Sequence, residues 1–117
     1  MTNPLVSIVV PAWNTAAYLQ DTLQSMSNQV YQNYKVIMVD DGSTDDTFAI
    51  MQAWAERDRR FRAMRQPANL GVVAARNAAL AVASGEYVAL LDGDDILVPE
   101  ALKAARWRSL LAAVLTR

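Results

Sequence analysis

The sequence has no cysteine and no histidine in its 117 residues. Disulfides, thiolate nucleophiles, CxxC redox pairs, zinc sites built on sulfur or imidazole, and every triad that passes a proton through histidine are thereby excluded. Carboxylates, hydroxyls, Lys, Arg and backbone amides remain for catalysis or metal binding, a set suited to hard cations such as Mg²⁺ or Mn²⁺ held by oxygen. Long apolar runs are also missing. The longest, Ala78 to Ala83 and Leu110 to Leu115, have six residues, whereas roughly 20 span a bilayer. The N-terminus lacks the cationic start and small-residue cleavage site of a signal peptide. A cytoplasmic protein with no transmembrane segment is therefore expected.

A dominant charge is absent too. The formal net charge of −1 carries no basic signature, and no nucleic-acid partner is expected. The distribution is uneven: residues 1–95 hold seven Lys or Arg against eleven Asp or Glu, and residues 96–117 hold four against one. A basic tail follows an acidic body. With 53% apolar and 20% charged residues, the composition is that of one soluble globular domain spanning 1–117.

Leu5-Val-Ser-Ile-Val-Val10 is a β-branched apolar run closed by Pro11, which predicts a buried strand ending in a loop. Tyr18, Leu19, Thr22, Leu23 and Met26 then recur at helical spacing, with Asn14 or Thr15 available as N-cap. A second strand over Tyr34 to Val39 breaks at Asp40-Asp-Gly-Ser-Thr-Asp-Asp-Thr47. The following helix turns Phe48, Met51 and Trp54 inward, with Ser43 or Thr44 as its cap and acids in its first turn. A third strand lies around Phe61 to Arg65. An alanine-rich helix runs from about Val72 to Ser84 and stops at Gly85 in the C′ position. Tyr87 to Leu91 is the fourth strand, and Pro99 opens a last helix at its N1 position. Strands alternating with helices predict an α/β fold: a mostly parallel, doubly wound sheet in a three-layer α/β/α arrangement.

In such a sheet, ligands bind outside the carboxyl ends of the strands. Four strands here end in polar loops: Pro11 to Asn14, Asp40 to Thr44, Gln66 to Gly71, and Asp92 to Asp95. Asp41, Asp92, Asp94 and Asp95 on one rim repel one another, which a divalent cation would relieve. Mg²⁺ or Mn²⁺ held by one or two carboxylates completes its shell with water and phosphates, and a nucleoside diphosphate fits that role. Each feature also has a plainer reading. Asp-Gly-Ser after a strand serves as a turn that caps a helix, Asp92 to Asp95 as a loop before one, and Arg76 and Asn77 as a solvated face or a packing contact. The tail residues Leu102, Ala105, Leu110, Leu111, Val114 and Leu115 alternate with Lys103, Arg106 and Arg108, which predicts a basic amphipathic helix over 96–117. Its apolar face could pack on the sheet, promote a homodimer or lie on a membrane surface.

Four segments together resemble a known family. Val6-Ser-Ile-Val-Val-Pro-Ala-Trp-Asn14, Val39-Asp-Asp-Gly-Ser-Thr-Asp-Asp-Thr47, Asn69-Leu-Gly-Val-Val-Ala-Ala-Arg-Asn77 and Gly85-Glu-Tyr-Val-Ala-Leu-Leu-Asp-Gly-Asp-Asp95 look, in order and spacing, like the successive signatures of family-2 glycosyltransferases with the GT-A fold. The resemblance implies a nucleotide-sugar-binding core over 5–95, a UDP-sugar donor, inverting transfer to a polysaccharide, lipid or protein acceptor, and a Mn²⁺ or Mg²⁺ cofactor. It implies that Pro11, Ala12 and Asn14 wall the nucleoside, that Asp41 accepts from the base and that Arg76 lies near the nucleotide. Asp92-Gly-Asp94 matches the DxD element that reaches ribose and the metal diphosphate, with Asp94 and Asp95 on the metal. The family's general base belongs to a second, acceptor-binding half that these 117 residues do not match. Donor binding with little transfer by the chain alone is expected, along with a homodimer or a complementing half and a cytoplasmic location, peripheral at the membrane surface. Two other classes stay open: a haloacid-dehalogenase-like phosphotransferase with Asp92 as nucleophile and Asp94 as general acid, and a non-catalytic nucleotide-binding or receiver-like assembly module.

Overall fold

The first apolar run becomes a strand buried along its whole length, and that burial organises the rest. The structure, a computed structural model, describes residues 4–104 and 114–116. Strands β1 (Val6–Ala12), β2 (Tyr34–Asp40), β3 (Phe61–Arg65) and β4 (Tyr87–Leu90) form one sheet in the order β3-β2-β1-β4, and every neighbouring pair is parallel. Side chains alternate across it. Val6, Ile8, Val10, Tyr34, Val36 and Met38 pack with α1 (Ala16–Ser27) and α2 (Thr47–Arg57). Val9, Ile37 and Val39 pack with Ala75 and Ala79 of α3 (Val72–Val82) on the other face. Burying each such side chain contributes about 1.5–3 kcal/mol. The expected parallel, three-layer α/β/α architecture is therefore present, with α3 covering β1 and β2 while Val88 and Leu90 of β4 stay 43% and 40% exposed.

Several local expectations change in the structure. Pro11 does not end the first strand. It pairs opposite Val39 in β2, while β4 last pairs at Val9. Val9 C=O accepts from Leu91 N–H on the β4 side and Ala12 C=O accepts from Asp41 N–H on the β2 side. Alternation therefore turns the position of the missing proline N–H toward a neighbour that has already diverged. Gly85 is not a C′ residue: α3 ends at Val82 with Ala83 as C-cap. A Cβ on Gly85 would lie 2.6 Å from Ser7 N, and its own N–H donates to Ser7 Oγ. Close approach to β1 is what requires glycine there.

The helix caps also differ. Neither Ser43 nor Thr44 caps α2, and no acid lies in its first turn. Instead Asp45 caps two helices at once, its Oδ1 accepting from Thr47 N–H at 2.9 Å and its Oδ2 from Ala16 N–H at 3.2 Å. Tyr18 is 49% exposed rather than packed inward. Pro99 precedes α4 (Ala101–Ala104) instead of opening it. The helix expected over 96–117 is interrupted: β5 (Asp95–Leu97) and β6 (Val114–Thr116) form an antiparallel pair. Arg106, Trp107, Arg108, Leu110 and Leu111 lie outside the described residues. Buried Gln29 ties this segment to α1, donating to Val98 C=O and accepting from Leu102 N–H. No helix among the described residues is long and apolar enough to cross a membrane.

Candidate functional site

Chain direction places β2 and β3 on one side of β1 and β4 on the other, so the order reverses between β1 and β4. That is where the crevice of a doubly wound sheet opens. A cleft of about 230 Å³ lies there, lined by Pro11, Ala12, Trp13, Thr15, Asp41 and Val72 together with Asp92, Gly93 and Asp94. The predicted residues Pro11, Ala12, Asp41, Asp92 and Asp94 thus meet in one place.

Asp92, Asp94 and Asp95 each offer an oxygen, and these atoms lie within 4.8 Å of one another. The buried Asp95 clips the turn, Oδ2 accepting from Asp92 N–H at 2.9 Å. Its other oxygen is buried with no hydrogen-bond partner. An orphaned buried carboxylate oxygen beside two more carboxylates is a donor set that fits Mg²⁺ or Mn²⁺. Burial raises the Asp92 pKa above the ordinary carboxylate value, with Asp95 and Asp94 adding to the rise and Arg76 opposing it.

Gly93 gives this loop its position. A Cβ there would meet Ala12 Cβ and Thr15 Oγ1 at 2.8 Å, and its carbonyl accepts from the buried Thr22 Oγ1 at 3.0 Å. The acidic loop is therefore pressed against the start of α1, which aligns its carboxylates with the end of β1.

Asp41 is only 5% exposed and already engaged. Its Oδ1 accepts from Leu70 N–H at 2.9 Å and its Oδ2 from Gly71 N–H at 3.0 Å. With its carboxamide oriented to satisfy both ends, Asn69 donates to Asp41 Oδ2 at 3.1 Å and accepts from the Trp13 indole N–H at 2.9 Å. The carboxylate thus fastens the 69–71 loop to β2, and Oδ1 keeps one acceptor position. Asp40, fully buried, accepts from Ser43 N–H and pairs with Arg65 at 3.2 Å.

Two predicted residues stand apart. Asn14 is not on the cleft wall; at φ 49° it donates its N–H to Ser43 Oγ and accepts from Thr44 N–H, joining the first two loops. Arg76, on α3, reaches the site only through Asp92, 3.7 Å away, and its Nε is buried without a partner. Trp13, Thr15 and Val72 join the predicted residues in the cleft lining. Trp13, 50% exposed inside a polar loop directly after a strand, was the signal available for it.

The fold and cleft define a doubly wound α/β domain whose switch-point crevice is lined by carboxylates. Comparison with known proteins makes the class specific. The glycosyl transferase family 2 profile matches residues 7–105, and the chain belongs to this family, with the GT-A fold. An uncharacterized glycosyltransferase of Haemophilus influenzae is 40% identical over 103 residues, covering 88% of this chain and 41% of that protein. S. aureus TarS 1-349 in complex with UDP-GlcNAc is similar at TM-score 0.76 and 32% identity, over 84% of this chain and 29% of the other. The mannosyltransferase PcManGT of Pyrobaculum calidifontis, in complex with GDP-Man and Mn²⁺, is similar at TM-score 0.78 and 28% identity, over 91% and 34%. The chain thus spans less than half the length of each of these three relatives. Membership of this family displaces the phosphotransferase and receiver-like alternatives.

Proposed function

We propose that this chain binds a UDP-sugar with Mn²⁺ or Mg²⁺ and forms the donor side of an inverting glycosyltransferase acting on a polysaccharide, lipid or protein acceptor. The observation that carries the reading is the convergence of Trp13, Asp41 and the Asp92-Gly93-Asp94 turn on one cleft at the β1–β4 switch point. The UDP-GlcNAc and the GDP-Man with Mn²⁺ named for the two similar structures support it.

In this reading Pro11, Ala12 and the exposed indole of Trp13 wall the nucleoside, and the free acceptor position of Asp41 takes an N–H of the base. Asp92 meets the ribose, with Arg76 balancing its charge. Asp94 and the orphaned Asp95 oxygen hold the cation, which when bound neutralises charge on the departing diphosphate. Inversion also needs a carboxylate to take the acceptor hydroxyl's proton. Asp41 is committed to the 69–71 loop and the other cleft acids to the cation cluster, so we place the base and the acceptor site outside the described residues, on a complementing segment or a second copy. The protein then works in the cytoplasm, peripheral to the membrane where its acceptor is carried there.

Calorimetric titration of the full chain with UDP, with and without Mn²⁺, tests this. Saturable binding that Mn²⁺ strengthens at least tenfold is expected, with Asp94→Asn abolishing the Mn²⁺ effect. Absence of binding to UDP and to GDP in either condition overturns it. Transfer to an added acceptor by the chain alone would overturn only the placement of the base.

A further inference from the structure

The opposite end of the sheet has a different character. A pocket of about 160 Å³ opens on the α3 face around the starts of β1 and β2, and its polar lining is Ser7, Lys35, Arg59, Arg60, Arg62 and Ser84. Strand alternation and helix length produce it. Lys35 shares a sheet face with Ile37, and Arg62 stands opposite Ile37 in the β2–β3 register. Helix α3 covers Ile37 with Ala75 and Ala79 but stops at Val82, which becomes an apolar wall of the pocket. Beyond that point the chain crosses β1 through Gly85, leaving the lower part of the face open.

Of the four cations, only Arg60 is neutralised. It pairs with Asp58 at 2.8 Å, donates to Gln32 and lies 4.5 Å over the Tyr34 ring. Among the described residues, Lys35, Arg59 and Arg62 form no ion pair. Three uncompensated cations around a concavity repel one another, and a bound anion removes that repulsion. Guanidinium forks match the spacing of phosphate oxygens, the lysine adds a point charge and the serine hydroxyl a further donor.

We propose that this pocket binds a phosphate group, a monoester or diester carried by an anionic phospholipid headgroup or free in solution. It lies at the ends of the strands remote from the acidic cleft and does not rest on the donor-binding reading.

The test uses the full chain without divalent cation at low ionic strength, titrated with inorganic phosphate, and co-sedimented with vesicles of phosphatidylglycerol in phosphatidylcholine or of phosphatidylcholine alone. Saturable phosphate binding is expected, weakened at least tenfold in Lys35→Gln/Arg62→Gln and less than twofold in Arg57→Gln, whose guanidinium stacks on Trp54 at 3.8 Å outside the pocket. If the double variant melts before assay, Arg59→Gln alone decides, with at least a threefold loss expected. Loss of binding to the anionic vesicles in the same variants identifies the headgroup as the source; phosphate binding without vesicle binding identifies free phosphate. Absence of saturable phosphate binding and of any preference for anionic vesicles overturns the proposal. So does an equal loss in Arg57→Gln.

Discussion

Two of the four parallel strands, β2 and β4, run out into acids at one edge of the sheet, and bases gather around the strand starts at the other. Asp40, Asp41, Asp45, Asp92, Asp94 and Asp95 gather where the strands finish, while Lys35, Arg59, Arg60 and Arg62 gather where they start. Parallel β–α units explain the division. Helices α1, α2 and α3 each begin beside a strand's C-terminal end and run back, so free N–H groups and the positive dipole end face the acidic rim. Asp45 uses this twice, once for each of α1 and α2. At the other edge, helix C-termini favour cations. The dipole accounts for the sign of the charge at each end. It does not account for the concavities, which arise where β1 and β4 diverge and where α3 stops short. Both ends thus concentrate one sign of charge around a hollow, but the acidic hollow is tightly braced by hydrogen bonds and the basic one is largely unpaired.

That difference in bracing can be broken. The largest effect is expected from Asp41→Ala, which strips partners from the N–H groups of Leu70 and Gly71 and from Asn69. Leaving such donors unmet costs about 1–3 kcal/mol each where they stay buried, so a loss of about 3 kcal/mol is expected in urea unfolding, with UDP binding lost as well. A loss below about 1 kcal/mol would show that the 69–71 loop is held by something else. Next comes Gly93→Ala. Its new methyl must displace Ala12 or Thr15, and overpacking of this kind costs about 1–3 kcal/mol. The shift should appear as a lowered Tm together with a loss of the Mn²⁺-dependent part of UDP binding.

The smallest effect belongs to the basic end. The Arg60 hydrogen bond holds the Asp58 carboxyl below its ordinary pKa, burial opposing and the Arg60 and Arg57 charges assisting. A depressed folded-state value contributes stability above the unfolded carboxylate pKa, and that contribution is lost as pH falls through the folded value. The pair is partly exposed, so Asp58→Asn should cost no more than about 1 kcal/mol at pH 7. The gap between variant and parent should close in acid, below the unfolded carboxylate pKa of 3.8. A gap that persists there would mean that Asp58 acts through its backbone contacts and not through its charge.

Much of this was legible in the residues. Continuous apolar runs and helical spacing of period 3.6 locate four strands and three helices, because strands covered on both faces need apolar residues throughout. The acids after the second and fourth strands mark the rim for the same reason. What escaped was contact between segments far apart in sequence. Asp41 reads as a free acceptor until the 69–71 loop is seen folded onto it. Gly85 reads as a helix stop until Ser7 is found against it. Pro11 reads as a strand terminator until β4 is seen to have turned away.

The sequence by itself therefore determined the layer architecture, the family and the rim on which chemistry gathers, since these follow from local periodicity and from four ordered motifs. Only the tertiary structure decided which carboxylates are spent on holding loops and which stand open in a cleft. A carboxylate's availability depends on the donors that reach it, and for Asp41 those come from residues 69–71, about thirty positions away in the chain. It also decided that Lys35, Arg59 and Arg62, which form no ion pair among the described residues, line a hollow, because that depends on where α3 ends above the sheet.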